Sequence, residues 1–407
     1  MKVVILSTYA RKGGAAIAAD RLRSALQKEG VEVSMLTGNM LNTSEWKKQV
    51  NFLRLVAERV VIFIACHFRR ENLFKVSIAN TGTDVSRHPL VREADVIHLH
   101  WINQGFLSLT DIRKLLQLGK PVIWTMHDMW PFTGICHHAR ECTHYKETCR
   151  CCPFLRSLKR EDLAFRVFLQ KKKLLNQANV VFVGCSKWIT ELAGEGTLSK
   201  DKRTCTISNP IDTTLFFPVR DKRMAKERMG FSTNKRLLLF GAFNVSDKRK
   251  GLDHLIKALR LLPEDEMIEI VIFGQTEGVQ ALYPHPVHFT GYIGDEAQKV
   301  TLYNAVDVFV TPSLEDNLPN TLMEAMACGT PCVGFKVGGI PEMIIHKQTG
   351  YLARYEDASD LAEGILWVLN HNEDGKLSSA CRQKVETSYA ESVVAKQYIN
   401  LYTSQRS

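Results

Sequence analysis

Residues Thr311–Glu342 decide the fold of this chain and read TPSLEDNLPNTLMEAMACGTPCVGFKVGGIPE. The apolar run that precedes them, 306–310, predicts a strand that ends at Pro312. A helix is predicted over 320–327 and a second strand over 331–335. This order predicts a βαβ unit of a parallel sheet. The acidic loop before the helix then lies at the carboxyl end of a strand, where open α/β sheets bind ligands and helix N-termini hold phosphates.

Two acidic residues of this unit are eight positions apart. Asp316 lies in the loop and Glu324 in the second turn of the predicted helix. With a rise of about 1.5 Å per helical residue, they are separated by roughly 9 Å along the helix axis. That separation suits one ligand with hydroxyl groups at both ends and a diphosphate between them, which is the chemistry of a nucleotide-sugar.

The rest of the chain alternates apolar strand-like runs with helical stretches. Such runs with little polar alternation predict parallel sheets covered on both faces, and the fold class is therefore α/β with two doubly wound domains. The link between the domains is expected near Asn209. The runs that support this assignment are 3–6, 31–36, 95–100, 121–126, 180–185, 236–240, 268–273 and 287–290.

The ordered motifs of the chain resemble those of retaining glycosyltransferase family 4. Asp316 and Glu324 match its EX7E signature, with Asp in place of the first Glu. The other matching segments are Gly13-Gly14, 124–128, 208–212 with 217–218, Lys250-Gly251, 271–274 and 338–342. The resemblance implies a GT-B fold, in which two Rossmann-like domains face a cleft. It implies an acceptor-binding domain over 1–208 with a returning helix at 392–407, and a donor-binding domain over 209–391.

The resemblance also implies roles for individual residues. The residues expected in catalysis are Lys250, Asp316 and His127. Those expected to bind the donor are Glu324, Asn317, Leu318 and Arg249. Those expected to hold the acceptor or a phosphate are Gly13, Gly14 and Asp128. Glu315 is an alternative to Asp316. The Arg that the family carries after the first glycine of the donor domain is absent at Ala242-Phe243-Asn244, so Arg249 or Lys248 is expected to supply the second positive charge.

Positive charge is concentrated in the first half of the chain. Residues 1–208 contain 32 Lys and Arg against 18 Asp and Glu, whereas residues 209–407 contain 21 against 25. A basic acceptor domain indicates an anionic acceptor or an anionic membrane surface. The segment Trp46 to Lys75 is the candidate for membrane contact, because apolar residues recur there at near-helical spacing between basic ones. A helix that packs on the core with a solvated polar side is the competing interpretation. The apolar positions are Phe52, Leu55, Val56, Val60, Phe63 and Ile64, and the basic ones are Lys47, Lys48, Arg54, Arg59, Arg69 and Arg70.

Five of the eleven cysteines lie within 17 residues. Crowding of this kind in a cytoplasmic protein indicates metal ligation more than disulfides. One interpretation is a structural zinc held by Cys136, Cys142, Cys149 and Cys152; the other is an acceptor-side loop with reduced thiols. No metal is expected in catalysis, and no cofactor is expected beyond the nucleotide diphosphate sugar that serves as co-substrate.

These observations lead to one main functional hypothesis. The protein is expected to transfer a sugar from a nucleotide diphosphate sugar to a saccharide or lipid-linked saccharide, with retention of configuration, in bacterial cell-surface polysaccharide biosynthesis. A catalytically silent nucleotide-sugar-binding subunit of an assembly complex is the alternative. The chain begins with a strand-like run rather than a signal peptide, so a cytoplasmic location is expected, peripheral on the inner face of the plasma membrane. Nucleic-acid binding and nicotinamide chemistry lack their motifs.

Overall fold

The structure is a computed structural model that describes residues 1–41, 45–176, 178–263, 267–275 and 283–406, without the side chains of residues 45–48 and 406. The chain divides into two compact units. The first unit is Met1–Ser208 with Val394–Ser407, and the second is Asn209–Val393.

The first unit contains a six-stranded parallel sheet in the order β2-β1-β3-β4-β5-β6. Its strands are β1 (Lys2–Ser7), β2 (Glu32–Thr37), β3 (Val96–Leu99), β4 (Val122–Met126), β5 (Val180–Gly184) and β6 (Arg203–Thr206). Its helices are α1 (Gly14–Lys28), α2 (Glu45–Ala65), α3 (Pro89–Glu93), α4 (Leu109–Leu116), α5 (Leu163–Asn176) and α6 (Lys187–Glu195).

Both faces of this sheet are buried. Alternate residues of one strand, such as Val4 and Leu6, contribute to one apolar cluster, while Val3 and Ile5 contribute to another on the opposite face. This burial explains why the strands read as continuous apolar runs.

The second unit contains another six-stranded parallel sheet, in the order β12-β11-β10-β7-β8-β9. Its strands are β7 (Arg236–Asn244), β8 (Ile268–Gln275), β9 (Val287–Gly291), β10 (Val308–Thr311), β11 (Cys332–Phe335) and β12 (Gly350–Ala353). Its helices are α7 (Lys222–Arg228), α8 (Leu252–Leu259), α9 (Glu296–Ala305), α10 (Asn320–Ala327), α11 (Ile340–Met343), α12 (Ala358–Asn370) and α13 (Lys376–Ser388).

The last helix of the chain, α14 (Glu391–Arg406), returns to the first unit. Its buried residues Val394, Tyr398 and Tyr402 belong to the same apolar cluster as Val3 and Ile5. The predicted α/β class with two doubly wound domains is therefore confirmed. Two short strands, β6 and β12, were not predicted from the sequence. Among the described residues, no helix combines the length and the apolar character needed to cross a bilayer.

Candidate functional site

The candidate donor site lies at the carboxyl edge of the second sheet. Strands β7 and β10 are neighbours and parallel, so the loops that follow them leave the sheet at the same edge. The loop after β7 carries a short 3-10 helix at Lys248–Lys250, and the loop after β10 leads into α10. This edge is where ligands bind in open α/β sheets.

These two loops are held against each other by their backbones. Leu314 N–H donates to the carbonyl of Arg249 at 2.7 Å. Gly251 follows the 3-10 helix with φ +73°, and a Cβ placed there would lie 1.8 Å from the carbonyl oxygen of Pro312. Only glycine combines this left-handed conformation with such a close approach. The Lys-Gly pair of the sequence is therefore required by packing as well as by charge.

Lys250 and Asp316 are brought into contact by this arrangement. The ammonium of Lys250 donates to Oδ2 of Asp316 at 2.5 Å, and the Ser313 hydroxyl lies 3.4 Å from the same oxygen. Both side chains remain partly exposed. The pair places one positive and one negative group side by side at the start of the loop that leads to α10.

Arg249 has a different partner from Lys250. Its guanidinium binds the carboxylate of Asp247 through two hydrogen bonds, at 2.6 and 3.2 Å. Burial raises the pKa of Asp247, but the bonds and charge of Arg249 outweigh that effect, so the pKa is lowered. Asp247 thus stays ionised and fixes the guanidinium of Arg249 next to Lys250 in the chain, in an ion pair that is neutral overall.

The glycine pair of the last motif supports the backbone of Asp316. Gly339 N–H donates to the Asp316 carbonyl at 3.1 Å. Gly338 has φ +59°, and a Cβ there would lie 1.9 Å from the same carbonyl oxygen. Gly338 and Gly339, which follow Asp316 by 22 and 23 positions, therefore fix its backbone.

Glu324 lies on α10 and is only 2% exposed. Its Oε2 accepts a hydrogen bond from the hydroxyl of Tyr303 at 2.9 Å. The buried residues Asn317 and Leu318 connect Asp316 to this helix, whose N-cap residue is Pro319. Sequence reasoning missed Tyr303, because it lies on α9 in an unremarkable helical stretch. The sequence-predicted residues of the second unit thus lie on two adjoining loops and one helix.

In the first unit, His127 follows β4 at the carboxyl edge of the sheet. Its Nε2 lies 2.8 Å from Nδ1 of His100, and its Nδ1 lies 3.6 Å from Sγ of Cys185. Burial lowers the pKa of His127 to about 4, against a smaller rise from Asp128. His127 is therefore a neutral imidazole at pH 7, suited to donate or accept a hydrogen bond but not to act as a cation.

His98, on β3, and His100, directly after it, continue the contacts of His127 into the sheet. His98 bonds the hydroxyl groups of Tyr402 and Thr125, both at 2.7 Å, and its ring lies 4.3 Å from that of His100. Burial lowers the pKa of His98 to about 3 and that of His100 well below its usual value. Nε2 of His100 is buried and, within the described part of the chain, has no hydrogen-bond partner.

The carboxylate of Asp128 accepts hydrogen bonds from three different residues. Its Oδ2 accepts from Nδ1 of His137 at 2.7 Å and from the indole of Trp101 at 2.8 Å, and its Oδ1 accepts from the backbone N–H of Trp130. Burial raises its pKa, yet the neighbouring His137 ring outweighs this, and the pKa falls below the usual range. Asp128 thereby orients Trp101, whose ring stacks with that of Tyr9 at 6.3 Å. Neither aromatic residue was singled out from the sequence.

Gly13 and Gly14 begin α1, directly after the loop that follows β1. Gly13 is the N-cap, with φ +88°, and its carbonyl accepts the first helical hydrogen bond, from Ile17. An added Cβ at Gly13 would meet no atom within 4 Å among the described residues, so its φ rather than crowding demands glycine. The glycine pair therefore shapes the turn from β1 into α1.

The structure gives no support to the zinc interpretation of the cysteine cluster. Among the described residues, no group of three or more His, Cys, Asp or Glu side chains could hold a metal ion. Cys136, Cys142, Cys149 and Cys152 are free thiols. Burial raises the pKa of both Cys136 and Cys149 to about 12, so in the metal-free protein both are protonated thiols at pH 7.

Comparison with known proteins agrees with this architecture. Residues 12–215, half of the chain, match the family description "Glycosyltransferase Family 4", and residues 234–371 match "Glycosyl transferases group 1". Each unit of the fold therefore carries its own glycosyltransferase signature.

Three relatives illustrate the similarity. The chain is 25% identical over 205 residues to N-acetyl-alpha-D-glucosaminyl L-malate synthase of Bacillus anthracis, an alignment that spans 48% of this chain and 52% of that protein. It is 22% identical to WcaC of Escherichia coli K12, described as a colanic acid biosynthesis glycosyl transferase, over 99% of both chains. It is 28% identical to N,N'-diacetylbacillosaminyl-diphospho-undecaprenol alpha-1,3-N-acetylgalactosaminyltransferase of Campylobacter jejuni, over 50% of this chain and 55% of that protein.

Two solved structures share the fold over the whole chain. Sucrose-phosphate synthase from Thermosynechococcus elongatus is 20% identical with a TM-score of 0.65, and the alignment covers 99% of this chain and 98% of that one. Anabaena HepE in complex with UDP-glucose is 17% identical with a TM-score of 0.64, and the alignment covers 99% and 100%. With the family description over half of its length and two Rossmann-like units, this chain is a glycosyltransferase that belongs to family 4 and has the GT-B fold.

Proposed function

We propose that this glycosyltransferase moves a sugar from a nucleotide diphosphate sugar to a saccharide acceptor with retention of anomeric configuration. The observation that supports this proposal best is the contact of Lys250 with Asp316 beside the N-terminus of α10. It sets a cation for the departing diphosphate next to a carboxylate for the hydroxyl groups of the transferred sugar.

Each group of this site has a separate task in the reaction that we propose. Negative charge grows on the diphosphate as the sugar becomes oxocarbenium-like, and Lys250 stabilises it, with Arg249 adding charge nearby. Backbone N–H groups at the start of α10 bind phosphate oxygens. Asp316 binds hydroxyls of the sugar, as do the backbone groups of Asn317 and Leu318. Glu324 accepts from the ribose diol.

We assign acceptor recognition to the first unit. His127 and the aromatic residues that Asp128 orients lie at the carboxyl edge of its sheet, where a saccharide ring can stack on an indole. The Campylobacter relative acts on a diphospho-undecaprenol acceptor by its name. A lipid-linked saccharide is accordingly our proposed acceptor class, and the inner face of the plasma membrane is the proposed place of the reaction, within cell-surface polysaccharide biosynthesis.

The proposal can be tested by release of nucleoside diphosphate from a panel that begins with UDP-glucose, the ligand of the HepE structure. Acceptors would be supplied as a total bacterial lipid extract, and the anomeric configuration of the radiolabelled product would be read by linkage-specific glycosidases. Activity that persists in EDTA is expected, since Lys250 meets the charge of the leaving group. Absence of both transfer and nucleotide-sugar binding across the panel would contradict the proposal.

A silent nucleotide-sugar-binding subunit is the second candidate. It is favoured by Asp316 in place of the family's Glu and by the strand residues Ala242-Phe243-Asn244, which lack the family's Arg. One measurement distinguishes the two candidate functions, namely the release of nucleoside diphosphate in the presence of the acceptor extract. A protein that binds a nucleotide-sugar tightly but releases no nucleoside diphosphate with the acceptor extract is the silent subunit.

A further inference from the structure

Helix α2 presents an apolar side to solvent, whereas its side toward the protein combines the charged Glu58 and Arg59 with the apolar Ile62. The exposed side chains include Phe52 at 65%, Leu53 at 62% and Ile64 at 55%, and Phe68 in the following turn is 69% exposed. We call the set the α2 apolar face. Its members are Phe52, Leu53, Val56, Val60, Val61, Ile64 and Phe68.

The opposite side of α2 is charged and buried. Glu58 is fully buried, and its Oε1 accepts the backbone N–H groups of Ile78 and Ala79 at 2.8 and 2.9 Å. Arg59 bonds Oε2 of Glu58 at 2.7 Å and also donates to the carbonyl of Val76. These bonds anchor the helix to the segment that follows it.

This arrangement differs from that of an ordinary core-packing helix, which buries its apolar residues and leaves its charges in water. Helix α2 does contact the core of the first unit, through the fully buried Ile62, but Glu58 and Arg59 are buried as well and the α2 apolar face lies outside that core. Six exposed apolar side chains on one helix, with Phe68 in the turn after it, exceed the scattered exposure that is ordinary for a soluble domain.

We propose that the α2 apolar face inserts into the interfacial region of an anionic lipid bilayer, with the helix parallel to the membrane plane. The inference goes beyond sugar transfer and does not depend on it. The face consists of aliphatic and phenyl groups, the side chains that interfacial helices bury at the boundary between headgroups and acyl chains. The helix of 21 residues is roughly 30 Å long, and it offers a convex ridge that suits lipid headgroups better than a groove would.

Charge complementarity favours an anionic membrane surface over a neutral one. Arg69 and Arg70 are exposed directly after Phe68, and residues 1–208 carry 32 Lys and Arg against 18 Asp and Glu. Cations beside an apolar helix add attraction to acidic headgroups. Lys47 and Lys48, which the sequence also indicated for membrane contact, have side chains outside the described ones.

The test measures sedimentation of the full chain with vesicles, without donor or acceptor. Vesicles of phosphatidylcholine alone are compared with vesicles containing about one third phosphatidylglycerol. The double substitution Phe52→Ser with Ile64→Ser is expected to weaken binding to the anionic vesicles at least tenfold. Leu261→Ser is the matched control, because Leu261 is 57% exposed and belongs to the second unit, and it is expected to bind like the parent.

Two further variants separate the contribution of the positive charge from that of apolar insertion. Arg69→Ser with Arg70→Ser is expected to reduce the preference for anionic over neutral vesicles. In Phe52→Trp, the new indole is expected to be quenched by lipids brominated on the acyl chain, which reports insertion rather than surface attraction.

Several results would overturn the proposal. Absence of binding to both vesicle types is one, and equal binding by the parent and the Phe52→Ser, Ile64→Ser variant is another. A parent dimer in solution that this variant converts to a monomer would make the face an interface between copies. Nucleotide-sugar binding by the same variant is also measured and is expected to be unchanged. A loss of vesicle binding alone then bears on the membrane proposal, whereas a loss of donor binding would bear on the proposed transferase function.

Discussion

The ammonium of Lys250 lies 2.5 Å from Oδ2 of Asp316, although the two residues are 66 positions apart in the chain. The Gly251 turn and the Gly338-Gly339 pair hold the backbone on either side of this contact. In the reaction that we propose, the backbone that carries both groups is therefore in place before a diphosphate binds, and Lys250 only has to exchange its bond to Asp316 for one to the phosphate. Preorganised charge of this kind is the main source of electrostatic catalysis.

Lys250→Ala should lower kcat more than it raises the donor Kd. The charge that Lys250 meets grows toward the transition state, and loss of one such group costs about 10²-fold in turnover. Lys257→Ala, an exposed lysine of α8, is the control and should leave the rate unchanged. Steady-state kinetics with titrated donor would give both constants. A change confined to KM would refute a leaving-group role.

Gly251→Ala should disturb the donor site, whereas Gly230→Ala should not. Both glycines have nearly equal positive φ, +73° and +74°, so both substitutions carry the same backbone penalty of about 1 kcal/mol. Only at Gly251 does the new Cβ meet a backbone atom, the Pro312 carbonyl oxygen at 1.8 Å. We expect a further loss of about 1–3 kcal/mol in unfolding free energy from overpacking, together with weaker nucleotide-sugar binding. Equal stability and donor affinity in the two variants would show that the loop contact is unimportant.

Tyr303→Phe should weaken donor binding without a direct contact to the donor. The hydroxyl of Tyr303 holds Glu324, and a hydrogen bond to a buried carboxylate contributes about 1.5–3 kcal/mol. We expect the donor Kd to rise about 3- to 10-fold with kcat nearly unchanged, as for a positioning residue. Tyr292→Phe, at an exposed tyrosine of the same unit, is the control. If Tyr303→Phe only lowers thermal stability, the hydroxyl does not position Glu324 for binding.

Folding stability should fall as the pH is lowered from about 6.5 toward 4. Burial lowers the pKa of His98 to about 3 and of His127 to about 4, so the unfolded chain binds protons in this range that the folded chain does not. The stability is therefore fully present above the unfolded pKa and is lost on acidification, by up to about 1.4 kcal/mol per pH unit for each histidine.

His127→Gln should reduce this acid sensitivity. Urea unfolding at pH 7.5 and 5.5 is expected to show a loss about 1 kcal/mol smaller than in the parent. His67→Gln, at an exposed position, should keep the parent's pH dependence. If the loss of stability between pH 7.5 and 5.5 were the same in His127→Gln as in the parent, burial would not keep the imidazole of His127 neutral.

Much of the fold is determined by local sequence. Continuous apolar runs such as 180–184 favour strands buried on both faces, and their alternation with helical stretches then predicts parallel sheets. Strands β6 and β12 escaped prediction because they are only four residues long, and β6 reads Arg-Thr-Cys-Thr without an apolar run. The local sequence placed Asp316 and Glu324 in the loop and the helix that follow one strand, and the resemblance to family 4 added Lys250. The structure brings Lys250 next to Asp316 because β7 and β10 are neighbouring parallel strands.

Contacts between distant residues were decided by the tertiary structure alone. The sequence indicated an apolar stripe on α2, yet periodicity does not say which side faces the protein; buried bonds of Glu58 and Arg59 to the next segment decided it. Cysteine spacing suggested ligands, but ligation depends on three-dimensional geometry that spacing does not fix. Tyr303 beside Glu324, and Trp101 beside Asp128, likewise depend on how separate elements pack, which no local pattern encodes.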